Sequence, residues 1–300
     1  THEKPRFAFF QVFQPRGGGK RQAPTFDVVA PGIAKHEEEI VLAPGADPKS
    51  DPCLALRAAV AAAEFGLPIA PGTLQNLKSC PIDDRTWNDE SRSLFLRLLA
   101  SGPALLQVWE EIDFVDIPGR LIPEWLAIRN RPSTSAAHRY TIDRHSVEVV
   151  TRLGRETPRG NRYDDRHYQA LLLAGILHDI GKRPWVADHA AEGARHASTV
   201  LKRMGFDRDI IWWVTLLVRE HLTLSEFATG QNPNDPNVGD ELASRLDHDP
   251  LLLDMLFDLT RADGSSLGAT SGEIISKQYG WSKWRETLVR TMYNATRYHM

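Results

Sequence analysis

LLLAGILHDIGK, residues 171–182, decides how this chain is read. Leu171, Leu172, Leu173, Ala174, Ile176 and Leu177 lead into His178 and Asp179, and Gly181 and Lys182 close the stretch. A run this apolar predicts a helix buried on most of its surface. An imidazole and a carboxylate are then driven into the interior at its C-terminal end. A buried carboxylate without a partner is costly, and a metal ion compensates both side chains at once. Successive helix residues point about 100° apart. The pair can therefore share one ion, or serve two neighbouring ions, only if other helices bring more ligands.

The flanking sequence supplies them. YTIDRHSVEVVTRL predicts a helix that opens at Thr141 and carries His145. DHAAEGARHASTVLKRMG predicts one with His189 near its start and Gly205 past its end. RDIIWWVTLLVREHLTL is strongly apolar and carries Glu220 and His221; DPNVGDELASRL is shorter; DPLLLDMLFDLTRADGSS ends near Asp263. WSKWRETLVRTMYNATRYH is amphipathic and closes the chain. His145, His178, Asp179, His189, His221 and Asp263 thus sit on predicted helices or at their edges, as a bundle builds a metal centre from inward-pointing ligands. Mixed imidazole and carboxylate suits Mn, Fe, Co, Ni or Zn. Two ions about 3.5–4 Å apart could bind a phosphate and generate an attacking hydroxide. Lys182 is placed to neutralise a phosphoryl oxygen, and Arg144 to contact phosphate. His138 and His196 read as structural, and Trp212-Trp213 as packing.

Upstream, Asp51-Pro52 starts an alanine-rich helix that runs to Glu64 and stops at Gly66. Further helical patterns cover 72–79, 90–100 and 103–112; Glu110, Glu111 and Asp113 read as a solvated helix face. A Pro-punctuated stretch places a boundary near 131–137. Residues 1–50 read as irregular: Arg16, Lys20 and Arg21 flank a glycine run, and FAFFQVF and TFDVVAPGI are short extended segments. The opening, THEKPRFAFFQVF, looks like the edge of a fragment.

Composition narrows the class. Of 300 residues 42% are hydrophobic and 25% charged, the balance of a soluble globular protein. A net charge of −3 and a pI near 6.4 argue against bulk nucleic-acid binding. Cys53 and Cys80 lack CxxC spacing and read as reduced thiols. No signal peptide or run of membrane-spanning length is apparent, so a cytoplasmic protein without membrane contact is expected.

The order His145 … His178-Asp179 … Asp263, with the doublet in the form HDIGK and His145 thirty-three residues before it, resembles the HD superfamily of metal-dependent phosphohydrolases. The resemblance implies the minimal ligand set His145, His178, Asp179 and Asp263. His189 and His221 would be the additional histidines of two-metal members. PEWLAIRNRPSTSAAHRYTIDRHSVEVV, WVTLLVREHLTLSEFA and WRETLVRTMYNATR are similar to one subfamily, the bifunctional nucleotidyltransferase/nucleotidyl-removing enzymes of the PII nitrogen-signalling protein. That likeness extends over about residues 25–300 and is strongest from 122 onward. It departs at Glu220-His221, where most relatives have His-His.

The expected fold is all-α: an irregular segment over 1–50, a helical connector over 51–134, and an HD phosphohydrolase domain over 135–300. The nucleotidyltransferase and ACT domains of the family would be missing. The implied activity is metal-dependent removal of UMP or AMP from a tyrosine of nucleotidylated PII, with Mn²⁺ foremost among the candidate ions and Mg²⁺ also possible. The residues acting on phosphate would be Lys182, Asp179 and Arg144. Alternatives are an HD nucleotidase acting on free nucleotides and a non-catalytic regulatory HD module.

Overall fold

The computed structural model describes residues 25–82, 87–133, 139–157, 162–267 and 280–300. The basic glycine run at Arg16–Arg21, FAFFQVF and His138 lie outside these residues. Within residues 25–50, expected to be irregular, β1 (Asp27–Ala30), β2 (Ile33–His36) and β3 (Glu39–Leu42) form a small antiparallel sheet in sequence order. Ile33, Ala34 and Ile40 are wholly buried, and the sheet lies on α1 (Leu54–Phe65). The backbone of Ile40 also bonds to Pro68 and Ala70 beyond that helix. The sheet thus depends on partners that local sequence does not show.

The rest is helical. α2 (Pro71–Leu77), α3 (Asp89–Leu99), α4 (Ala104–Phe114), α5 (Ile117–Leu121) and a 3-10 turn at Pro123–Ala127 complete the connector. α6 (Ile142–Glu156), α7 (Asp165–Leu177), α8 (His189–Met204), α9 (Arg208–Glu220), α10 (Thr223–Gly230), α11 (Pro236–Arg245), α12 (Pro250–Ser265) and α13 (Lys283–Arg297) follow. The long apolar segment read as one helix through 224 is broken after Glu220, and α10 starts at Thr223.

Local chemistry explains many of the starts. Asp164, Asp188, Asp207, Asp235 and Asp249 each accept a backbone N–H at the first turn of α7, α8, α9, α11 and α12. Such capping satisfies donors that a helix leaves open. α1 differs from expectation. It begins at Leu54, because Asp51 turns back to accept the Cys53 N–H at 2.9 Å and pairs with Arg57.

α7 occupies the centre. Tyr168 and Ala170 through Leu177 are buried, and the helix packs on α3, α6, α9 and α12. A single buried core runs from β2 to α13 and crosses the Pro-punctuated stretch, where α4 packs on α6. The PEW run fastens connector to bundle. Glu124 takes both nitrogens of Arg203 on α8, at 2.9 and 2.6 Å, and buried Trp125 meets Trp109 edge-on at 5.3 Å. The acids read as a solvated face are ties as well. Glu111 accepts the Ile69 N–H at 2.9 Å, Asp113 pairs with Arg129, and Glu110 with Arg144. Among the described residues no helix is long and apolar enough to cross a membrane.

Candidate metal centre

His178 and His221 follow the last residues of α7 and α9 as their C-caps. At that position the ring reaches back over the final turn. Nδ1 of His178 lies 2.8 Å from the Gly175 carbonyl oxygen, and Nδ1 of His221 lies 2.7 Å from that of Val218. His145, in the first turn of α6, sets Nδ1 3.0 Å from the carbonyl oxygen of Ser266, just past α12. A carbonyl only accepts, so each Nδ1 carries the proton and donates it. This arrangement fixes the ring and turns Nε2 inward.

The Nε2 atoms converge on Asp179. His178 and His145 stand 3.3 and 3.9 Å from its Oδ2; His221 and His189 stand 3.7 and 3.8 Å from its Oδ1. Asp263 Oδ1 is 2.9 Å from His145 Nε2, a separation that calls for a proton or a cation between them. Lys182 donates to Asp179 Oδ2 at 2.7 Å. All six sequence-selected ligands are therefore brought together, in two adjoining groups: His145, His178 and Asp263, and Asp179, His189 and His221. Four buried atoms of the cluster have no hydrogen-bond partner: Nε2 of His178, His189 and His221, and Oδ1 of Asp179. Orphaned lone pairs inside a protein are costly. Four of them within two adjoining groups, in a nitrogen and oxygen donor set, fit a divalent cation.

Charge prepares the site. Burial pushes the His221 imidazolium down to about 4, helped by the neighbouring His178 charge. Burial lowers His189 too. Burial lowers His178 as well, but the Asp179 and Asp263 carboxylates and the Gly175 carbonyl together raise it above its ordinary value. Asp179 is held well below the usual carboxylate range against its burial by His178 and Lys182, and Asp263 by His145. His189 and His221 are thus neutral, and the aspartates ionised, near pH 7. His145, His178, Asp179 and His221 are almost wholly buried, while the side chains of His189, Asp263 and Lys182 are 24, 21 and 24% exposed. These three mark the mouth.

Glycine permits the close approach of α8. A Cβ on Gly181 would collide with the carbonyl oxygen of His189 and the backbone of Gly193. Only without it does the turn after Asp179 sit directly against α8 and bring His189 to the cluster.

Two residues fall elsewhere. The Arg144 guanidinium is held by Glu148, at 3.0 and 2.8 Å, and by Glu110, and does not join the cluster. It neighbours His145 on α6, so it points about 100° away. Glu220 is buried but accepts the Thr223 hydroxyl at 2.6 Å and lies 3.6 Å from Arg245, so it caps the α9–α10 junction and is no ligand neighbour. His196 is structural as expected, 2.8 Å from Glu192. The reading of the chain missed the carbonyls of Gly175, Val218 and Ser266. The first two were findable, since each lies three residues before a helix-ending histidine; Ser266 is 121 residues from His145 and was not.

Residues 142–252 match the HD domain family. The chain is 37% identical over 275 residues to the bifunctional uridylyltransferase/uridylyl-removing enzyme of Streptomyces coelicolor, covering 91% of this chain and 31% of that protein. It is 36% identical over 259 residues to the enzyme of the same name from Mycobacterium tuberculosis, covering 86% and 30%. A relative of that name from Caulobacter vibrioides is 30% identical over 213 residues, 67% of this chain and 21% of the relative. The chain thus spans about a third of the length of the first two curated relatives. It carries an HD domain, the mark of a metal-binding hydrolase, and over most of its length it is a homologue of the bifunctional uridylyltransferase/uridylyl-removing enzymes.

Proposed function

We propose that this region is a metal-dependent phosphodiesterase that releases UMP or AMP from a tyrosine of the nucleotidylated PII protein, with 135–300 as the catalytic domain and 51–134 as its connector. The observation that carries the reading is the set of four buried, unpartnered atoms within two adjoining groups of histidine and aspartate side chains. His145, His178 and Asp263, with Asp179, His189 and His221, would hold one or two divalent ions, Mn²⁺ foremost. Such ions supply Lewis acidity toward phosphoryl oxygens and make water acidic enough to attack near neutral pH.

The chain's own groups do the rest. The carbonyl-anchored histidines present Nε2 without reorganisation, and the low-lying carboxylates stay ionised. Lys182, partly exposed at the mouth, can leave Asp179 Oδ2 for a phosphoryl oxygen and neutralise charge that grows during attack. Water adds to phosphorus and the bond to the tyrosine oxygen breaks. The phenolate leaves with the electron pair and then takes up a proton. Its parent pKa near 10 makes it a fair leaving group, which reduces the need for a dedicated acid. The buried free thiols Cys53 and Cys80 suit a reducing cytoplasm.

The test is release of UMP or AMP from nucleotidylated PII with Mn²⁺, beside Asp179→Ala. Release that disappears in the variant supports the reading and identifies the nucleotide. Turnover of free nucleotides without turnover of modified PII would replace it with a nucleotidase. Metal uptake with no turnover of either would leave a regulatory module.

A further inference from the structure

We propose that Trp185 is the nucleobase platform of this site, its indole stacking on the base of the nucleotidyl group whose phosphorus lies at the cluster. This rests on the phosphodiesterase reading and adds a base-binding residue to it.

Three observations converge on the segment between Asp179 and His189. The first is placement. Lys182 and His189, two of the three residues that mark the mouth, are the ends of the loop that carries Trp185. The second is exposure. Trp185 is wholly exposed, at 103%, whereas Trp284, Trp212 and Phe114 are at 67, 42 and 74%. A bare indole presents a large apolar face to water. The third is backbone. Trp185 has φ 66°, in the left-handed region that bulky residues avoid.

That conformation is not the slack of a loose loop. The Lys182 N–H donates to the Asp179 carbonyl at 3.0 Å and the Arg183 N–H to that of Gly181 at 2.8 Å. The Asp188 carboxylate caps α8 at the far end, accepting the Ala191 N–H at 2.9 Å. The loop is therefore held by the same turn and helix that position Asp179 and His189, and it holds its tryptophan outward.

The chemistry of the substrate suggests a use. A nucleotidyl group is a phosphate joined through a sugar to a flat aromatic base. The cluster and Lys182 address the phosphate alone. An exposed indole on this loop offers the base a π surface, and stacking tolerates uracil and adenine alike because every base has such a face.

The test titrates the Mn²⁺-loaded protein with AMP, UMP and ribose 5-phosphate by calorimetry, comparing wild type with Trp185→Ala and Trp185→Phe. Loss of one stacking contact should weaken AMP and UMP about tenfold or more in Trp185→Ala, less in Trp185→Phe. Ribose 5-phosphate, which has no base, should bind both variants as it binds wild type. Equal AMP affinity in wild type and Trp185→Ala would overturn the proposal. So would a parallel loss of ribose 5-phosphate, or wild type that binds AMP no better than ribose 5-phosphate. Unchanged nucleotide affinity with slower turnover of modified PII would assign the indole to the protein partner instead. Failure of the phosphodiesterase reading shows separately, as absent turnover in wild type, while the titration still scores the platform. A melting curve for Trp185→Ala that overlays wild type checks the fold.

Discussion

Asp179 and Asp258 are both carboxylates at 1% exposure in the same bundle, yet their surroundings differ in kind. One oxygen of Asp258 accepts the Tyr163 hydroxyl at 2.7 Å and Arg162 at 3.0 Å, and Arg261 stands 3.7 Å from the other. Its neighbours are donors, so the group is satisfied by protein alone. That carboxylate and burial together drive the Tyr163 phenol far above its usual range. Around Asp179, apart from Lys182, stand imidazoles whose Nδ1 protons are already committed to carbonyls or, at His189, a ring nitrogen without a partner. Burial of a carboxylate by itself therefore does not signal a metal. What distinguishes the centre is that imidazole nitrogens and a carboxylate oxygen converge there without a hydrogen-bond partner.

Substituting each aspartate in turn tests the contrast. Asp179→Ala should take hydrolysis to background and sharply reduce Mn²⁺ uptake, read by metal analysis of the purified protein. Asp258→Ala should keep full metal content but lose about 2–3 kcal/mol of stability in urea, because the Tyr163 hydroxyl is left buried and unpaired. Saturating Mn²⁺ at about a hundred times its dissociation constant should add about 2.7 kcal/mol to wild type and to Asp258→Ala, and far less to Asp179→Ala. Equal metal responses in the two variants would erase the distinction.

Gly181→Ala tests the close approach of α8. Overpacking against rigid backbone should cost about 1–3 kcal/mol, and with it a disproportionate loss of metal affinity as His189 is displaced. A fall in stability with unchanged metal binding would show that the turn and the ligand are independent.

The metal-free protein should lose stability as pH falls from about 6.5 through about 4. The folded pKa of His221 is depressed, so the unfolded chain binds the proton first and stability is lost on acidification. Asp179 and Asp263 lose their contributions at still lower pH, and His178, raised, opposes the trend. Urea midpoints across this range, with and without Mn²⁺, report the slope; a flat apo profile would contradict the burial of a neutral His221.

The smallest effect belongs to Arg144→Ala. Its partly exposed pairs with Glu110 and Glu148 should be worth less than about 1 kcal/mol, with kcat/KM unchanged in the hydrolysis assay. A large kinetic loss would return Arg144 to the phosphate.

The candidate ligands were legible partly from local pattern and partly from the family resemblance. A helix apolar on all sides must be central, so whatever polar groups end it are buried, and α7 ending in His178-Asp179 obeys that rule. The sheet at Asp27–Leu42 was not legible, since its strands are four residues each and are held by α1 and by Pro68–Ala70. Arg144, expected to contact phosphate, pairs instead with Glu110 and Glu148, because position beside His145 in the sequence does not set direction around the helix.

Composition, periodicity and spacing pointed to the helical class, the central helix and the His178-Asp179 doublet at its end, and the resemblance to a known family completed the set of six side chains. Only the tertiary structure decided which nitrogen each imidazole turns inward, that four atoms of the cluster are left without partners, that a glycine lets α8 close on the cluster, and that Trp185 stands bare. The physical reason is range. Helix formation and capping are settled within a few residues, whereas a carbonyl 121 residues away fixes His145, and no window of sequence contains both.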